Sequence, residues 1–292
     1  MRKPLVAAIF ALAVAGAGAA PAVATPAVAT PAVAAPVGAK PAAKAAEPTL
    51  KAVSLAGTVA LSNCSGSLVR FPNSVDTDPA LVLSNGHCSS LLDPGVVITD
   101  RPANRPFGLL DSSGAQVATL KAAKLAYGTM TDTDVAIYEL TTTYAAIKSS
   151  YGVSALTVRD THPTAGIAIT VASGAWKKLL DCNVDGFVHR LKEGEWTWKD
   201  SVRYTSACQT IGGTSGSPVI DQSTGEVVAV HNTGNENGGS CTRDNPCEVD
   251  QRGNVTVRKG INYGQQTYQI PACFTTGNQL DLSAAGCTLP KP

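Results

Sequence analysis

The 292 residues carry 23 Lys and Arg against 22 Asp and Glu, a formal net charge of +1, and only 15% of them are charged. A balance this close to zero, with no basic cluster after residue 50, gives nucleic-acid binding no electrostatic footing. So few charges also do not describe a charge-rich disordered chain.

In chain order, residues 1–20 come first: Arg2 and Lys3, a long apolar stretch, then small residues ending Ala-Gly-Ala-Ala. That pattern predicts a secretory signal peptide cleaved near Ala20. A membrane anchor is disfavoured because the apolar core is short, Ala-rich and followed by small residues. Residues 21–49 repeat Pro-Ala-Val-Ala-Thr from Pro21 and Pro26 and, imperfectly, Pro31. Such a segment cannot build a packed core and reads as an extended linker or pro-segment. Residues 50–292 remain, enough for one all-β domain.

Within that domain, short runs rich in Val, Ile, Thr and Leu predict strands over Thr58–Leu61, Gly66–Arg70, Ala80–Leu83, Val96–Thr99, Val117–Leu120 and Val135–Leu140. A second set follows over Ile167–Ala172, Gly186–Leu191, Thr197–Tyr204, Pro218–Ile220, Val227–His231 and Asn262–Ile270. Turn residues such as Asp93-Pro94-Gly95 and Ser223-Thr224-Gly225 punctuate them. A short helix is expected over Lys121–Ala126 or from Tyr144 onward. Strands and turns without intervening long helices indicate an all-β sandwich or barrel.

Three segments carry chemistry. Ser84-Asn85-Gly86-His87-Cys88 ends an apolar run with a histidine, and Asp134-Val135-Ala136-Ile137 opens another with a carboxylate. Gly213-Thr214-Ser215-Gly216-Ser217-Pro218 places a hydroxyl in a glycine turn before Val219-Ile220. A serine hydroxyl needs a base to attack at neutral pH. Histidine titrates in the right range, and an acid must hold its tautomer and stabilise its charged form. Asp132 competes with Asp134, two positions away on the same strand face. The α/β-hydrolase alternative, Gly-x-Ser-x-Gly, fails at Ser217, and that fold also places its acid and histidine after the serine.

The order His, Asp, Ser and the sequence around each resemble the chymotrypsin-like serine proteases, and the three motifs cover most of residues 50–270. The resemblance implies two six-stranded antiparallel β-barrels, about residues 50–150 and 160–275, with the active site in the cleft between them. It implies His87 as base, Asp134 rather than Asp132 as its partner (the family carries the acid directly before a Val/Ile-Ala-Leu/Ile run) and Ser215 as nucleophile. The backbone N–H groups of Gly213 and Ser215 would form the oxyanion hole. Digestive members carry an Asp before the nucleophile that pairs with a newly released N-terminal amine; here that position is Thr214, so no such pair is expected. The Gly-x-Ser-Gly-Ser-Pro form instead looks like the bacterial glutamyl-endopeptidase branch. There a threonine five residues before the nucleophile and a histidine on the following strand bind the substrate carboxylate. Thr210 and His231 match these positions, and the implied preference is Glu or Asp before the scissile bond. Gln209 stands near where a trypsin-type pocket carries its aspartate, which disfavours Lys/Arg specificity.

All eight cysteines follow the linker, an even count that implies four disulfides in an exported chain. The resemblance places a bridge beside the histidine, Cys64–Cys88. Sequential pairing then gives Cys182–Cys208, Cys241–Cys247 and Cys273–Cys287. No Cys-x-x-Cys pair supports zinc. Asp244, Glu248 and Asp250 raise calcium, but no glycine-centred loop of the EF-hand kind accompanies them. His162 and His189 have no motif context, and Asn254-Val255-Thr256 fits a glycosylation acceptor. The expected function is a secreted, monomeric serine endopeptidase acting on proteins or peptides without cofactor, nucleic acid or, after signal cleavage, membrane. The rivals are an exported binding module on the same fold and an esterase.

Overall fold

The computed structural model describes residues 52–292, so the signal peptide and Pro/Ala linker expected at 1–20 and 21–49 lie outside the described residues. No helix among those described is long and apolar enough to cross a membrane.

The first half runs β1 (Thr58–Ala60), β2 (Ser65–Arg70), β3 (Pro79–Ser84), α1 (Gly86–Ser89), β4 (Val97–Pro102), β5 (Pro106–Leu110), β6 (Gln116–Thr129), β7 (Val135–Thr143), α2 (Tyr144–Tyr151) and β8 (Leu156–Thr157). Six strands pair antiparallel in the order β1-β5-β6-β7-β3-β2. The ladder from β2 back to β1, Val59 opposite Gly66, closes the ring. β4 adds to the second half of β6, and β8 lies parallel to β2.

The second half runs β9 (Ala168–Ser173), β10 (Lys178–Glu193), β11 (Trp196–Tyr204), β12 (Pro218–Asp221), β13 (Val227–Gly234), β14 (Cys247–Val249), β15 (Val255–Val257) and β16 (Asn262–Gln266). Its ring is β11-β16-β13-β12-β9-β10, closed by the β10–β11 hairpin, and β14–β15 extends it from the far end of β10. Two six-stranded antiparallel barrels result, the architecture the resemblance implies. A small ladder of β17 (Phe274–Thr275) and β18 (Gln279–Leu280) follows.

The barrels meet because several strands are apolar on both faces. On β3, Ala80 and Val82 fill the interior of the first barrel, whereas Leu81 and Leu83 point into a second cluster. That cluster also takes Val135 and Ile137 from β7 and Val227 and Val230 from β13. Side chains alternate along a strand, so each such strand serves one barrel interior and the seam between barrels.

Two expectations change. Lys121–Ala126 is strand, not helix: it lies within β6, where partners on both sides override the helix preference of its Lys and Ala residues. The helix is α2, capped by the Thr143 hydroxyl accepting from Ala146 N and ended by Gly152 at φ +69°. The strand expected over Asn262–Ile270 stops at Gln266, and the chain then turns into a 3-10 turn at Pro271–Cys273. The four disulfides are Cys64–Cys88, Cys182–Cys208, Cys241–Cys247 and Cys273–Cys287.

Candidate active site

His87 sits in α1, one turn held against the start of β7. Gly86 allows the approach, since a Cβ there would lie 2.2 Å from the carbonyl oxygen of Thr129. Asn85 Nδ2 donates to the Asp134 carbonyl at 2.8 Å, fixing the two segments together. The Asp134 carboxylate, fully buried, then takes two bonds from one residue: His87 N at 3.1 Å and His87 Nδ1 at 2.7 Å. That arrangement leaves Nε2 as the free edge of the ring. Burial works against the charged imidazolium, but the Asp134 charge and hydrogen bond outweigh it, with Glu193 and Asp244 adding to them. The His87 pKa therefore lies above its ordinary 6.5. Asp132 is turned elsewhere, at φ +58° and paired with Lys199 at 2.6 Å.

Ser215 lies in the turn before β12. Gly216, at φ +83°, packs so closely on β2 that a Cβ would come within 2.1 Å of the Ser65 carbonyl oxygen. Ser65 N donates to the Ser215 carbonyl at 2.8 Å and Gly216 N to the His231 carbonyl at 2.9 Å. The serine is thus held by both barrels. Its Oγ donates to the Asn232 carbonyl at 3.2 Å, and among the described residues no hydrogen bond joins it to His87. His87, Asp134 and Ser215 all line one cavity of about 290 Å³. Gly213 stands at φ +89°, and among the described residues neither its N–H nor that of Ser215 donates to a protein atom.

Thr210 and His231 line the same cavity. The Thr210 hydroxyl donates to Asn262 Oδ1 at 2.7 Å, and Asn262 Nδ2 donates to the Cys208 carbonyl at 2.6 Å. His231 is buried and its Nδ1 has no partner. Burial, assisted by the positive potential of His87, pushes its pKa down to about 3, so the ring is neutral at any working pH.

Several residues at the site gave no signal in the sequence reading. Trp196 Nε1 donates to the Leu92 carbonyl at 2.8 Å and Trp198 Nε1 to the Met130 carbonyl at 3.1 Å. The tip of the β10–β11 hairpin thereby reaches from the second barrel to two segments of the first, the one that follows α1 and the one that leads into Asp134. Spacing two apart puts both indoles of Trp196-Thr197-Trp198 on one strand face, but that spacing does not mark what they reach. Glu193, beside this tip, accepts from Thr233 Oγ1 at 2.7 Å and from Asp244 N at 2.9 Å, tying the Cys241–Cys247 loop to β13. Burial raises its pKa despite those donors. Arg243, over the Trp196 ring at 5.8 Å, lines the cavity with Glu193, Glu236 and Asp244.

The acids considered for calcium are dispersed: Glu248 pairs with Arg203 and Arg258, and Asp250 caps its own turn through Asn254. Among the described residues the one group of potential metal ligands in mutual reach is Cys64, His87 and Cys88. Its two sulfurs are joined as a disulfide, which leaves no thiolate to coordinate.

Comparison with known proteins places the chain in a family. The trypsin-like peptidase domain matches residues 64–230, more than half of the chain. Solved structures with a similar fold include the MamO protease domain from Magnetospirillum magneticum, 12% identical with a TM-score of 0.45, covering 73% of this chain and 93% of that one. The active form of the Rv3671c protease from M. tuberculosis is 14% identical with a TM-score of 0.43, over 80% and 82% of the two chains. A Glu endopeptidase in complex with MPD is 16% identical with a TM-score of 0.41, over 75% and 89%. Likeness at this level carries no argument about this chain. No curated protein matched the sequence. By the family match and its two closed barrels, the chain belongs to the trypsin-like peptidase domain family.

Proposed function

We propose that the chain is a secreted serine endopeptidase working through an acyl-enzyme. Ser215 Oγ attacks the substrate carbonyl carbon while His87 Nε2 takes its proton. Asp134 holds the ring through Nδ1 and stabilises the imidazolium. The N–H groups of Gly213 and Ser215 receive the oxyanion. Collapse expels the amine, which takes the proton back from His87, and water then repeats the sequence to release the acid and regenerate the serine. The proton and electron balance closes with side chains alone. The observation that carries the reading is the hydrogen-bonded His87–Asp134 pair lining the same cavity as Ser215; the N–H groups of Ser215 and Gly213, free of protein acceptors among the described residues, support it. In the structure Ser215 Oγ donates to the Asn232 carbonyl at 3.2 Å; the mechanism requires that bond to be exchanged for one to the imidazole, a tightening expected on substrate binding. Export is supported by the signal-like residues 1–20 and by eight cysteines in four disulfides.

For the residue before the scissile bond we propose Glu or Asp, received by a neutral N–H of His231 and by the Thr210 hydroxyl, which would exchange its bond to Asn262 Oδ1 for one to the substrate carboxylate, with Arg243 as the cation lining the cavity. A second reading, a cationic residue, is favoured by Glu193, Glu236 and Asp244 on the same cavity.

Two measurements test these statements. Stoichiometric labelling of Ser215 by a fluorophosphonate, lost in His87→Ala, is expected; an unreactive wild type leaves the binding-module reading. Mass-spectrometric mapping of cuts in a mixed peptide library, with Ser215→Ala as control, should show cleavage after Glu and Asp. Cuts after Lys and Arg would move the assignment to the second reading. Turnover of simple esters without peptide cleavage would make the chain an esterase.

A further inference from the structure

The oxyanion loop depends on a peptide bond between two glycines. A Cβ on Gly212 would meet nothing within 4 Å. Gly213 stands at φ +89°. Glycine reaches positive and negative φ with similar ease, so the Gly212–Gly213 peptide has two accessible orientations. In one, the Gly213 N–H faces the cleft. In the other, rotated about half a turn, the Gly212 carbonyl does, and an oxygen replaces the donor that a developing oxyanion needs.

One side chain distinguishes them. Trp176, in the turn between β9 and β10, donates from Nε1 to the Gly212 carbonyl at 2.8 Å. Its ring lies against the loop, with Nε1 3.0 Å from where a Gly213 Cβ would be. A peptide is planar and trans, so its C=O and N–H point in opposite directions. An indole that holds the carbonyl on one side aims the N–H at the other. The next carbonyl is held as well: Ser65 Oγ donates to Gly213 O at 3.1 Å. Ser65 Oγ itself accepts from Ala175 N at 3.0 Å and shares a bond with Ser173 Oγ at 3.1 Å. The residues flanking Trp176 therefore brace the same loop. Gly174 lets this turn sit down, since a Cβ there would lie 2.4 Å from the Val59 carbonyl oxygen.

We propose that Trp176 is a positioning residue that holds the Gly212–Gly213 peptide in the orientation able to receive an oxyanion. The inference rests on the endopeptidase reading and adds to it a residue that touches neither the nucleophile nor the base. A group that orients a transition-state donor affects kcat, whereas one that binds substrate equally throughout affects KM. Removing an oxyanion donor outright costs about 100- to 1,000-fold; releasing its peptide to a second orientation should cost less, about tenfold in kcat.

The test compares wild type with Trp176→Phe, which keeps an aromatic ring and removes the N–H. The expected result is a kcat about tenfold lower with KM within about twofold. Affinity for a peptide boronate that mimics the tetrahedral state should weaken by about the same tenfold while affinity for the product peptide holds. Unchanged kcat and boronate affinity, or a loss confined to KM, overturns the proposal. In wild type, the Trp176 indole N–H resonance, assigned by its loss in Trp176→Phe or any folded Trp176 variant, should be protected from solvent exchange. Exchange at the rate of a free indole overturns the proposal even if Trp176→Phe misfolds. A wild type unreactive to fluorophosphonate removes the endopeptidase reading and this inference together. A reactive wild type matched by an equally reactive Trp176→Phe removes only the inference.

Discussion

At the scale of single residues, the site is governed by which groups are charged. In the proposed mechanism His87 must be neutral to accept the serine proton, and its pKa lies above 6.5 because Asp134 favours the charged ring more than burial opposes it. The acid limb of kcat/KM is therefore expected above pH 6.5, read from a pH–rate profile. In Asp134→Asn the limb should move to lower pH and kcat should fall by about 10⁴, as the wrong tautomer is held. The same shift acts on stability with a definite sign. The folded state binds this proton more tightly than the unfolded chain, so its contribution is full below 6.5 and disappears as pH rises through the folded pKa. Asp134→Asn should accordingly cost more stability at pH 5.5 than at pH 9, measured by urea unfolding at both. Thr214 carries a second residue-scale expectation. It is buried and its hydroxyl donates to the Ile211 carbonyl, so no carboxylate waits there for an N-terminal ammonium. Extending the mature N-terminus by five residues should leave kcat within about twofold, because the loop meets its needs internally; loss of activity would count against it.

At the scale of elements, what shapes the cleft beyond the three motifs is the β10–β11 hairpin and the loop it carries. The Cys241–Cys247 bridge closes only six residues of sequence separation, so the chain-entropy model assigns it about 2 kcal/mol. The Cys182–Cys208 bridge, with a separation of 26, is worth about 3.5 kcal/mol on the same model. Yet Asp244 N holds Glu193, and Arg243 lines the cavity. Cys241→Ser with Cys247→Ser should lower Tm by about 4–8 °C and raise KM with little change in kcat; an unchanged KM would show that the loop does not shape the substrate's path. The reason β10 was only half legible is local. Its buried positions fall at 182, 184 and 188, then at 191 and 193, and a register shift sits between Val184 and Gly186. No single period-two template fits such a strand. By contrast β3, β7 and β13 were visible because continuous Val, Ile and Leu runs need no phase. The turn at Ser215 was visible for another reason: the close approach of Gly216 to Ser65 tolerates only one residue type. What sequence could not convey was partnership across the cleft, such as Trp198 reaching Met130, because nothing local marks it.

At the scale of the whole molecule, the barrels are joined by a shared cluster and by a strap. Residues 271–292 follow the last strand of the second barrel yet pack largely on the first. Phe274 stacks at 4.9 Å from Phe71, Asn278 Nδ2 donates to the Pro79 carbonyl at 2.8 Å, and Tyr127 OH donates to the Pro290 carbonyl at 2.9 Å. The Cys273–Cys287 bridge closes this segment, and none of its residues lines the candidate cleft. His87 and Asp134 belong to one barrel and Ser215 to the other, so the proposed chemistry survives only while the seam does. A shared apolar seam also makes the barrels unfold together, since exposing it costs both. Phe274→Ala removes the buried aromatic ring of the strap, which does not line the cleft, at a cost of about 3–5 kcal/mol, and should weaken the coupling more than either barrel interior. Calorimetry should therefore show one transition in wild type and, in Phe274→Ala, a lower-temperature transition that separates from the rest. Activity should be lost at the first of them, while kcat well below it stays within about twofold of wild type. A variant that still melts in a single step at an unchanged Tm would mean that the core cluster alone holds the barrels in register and that the strap is an appendage.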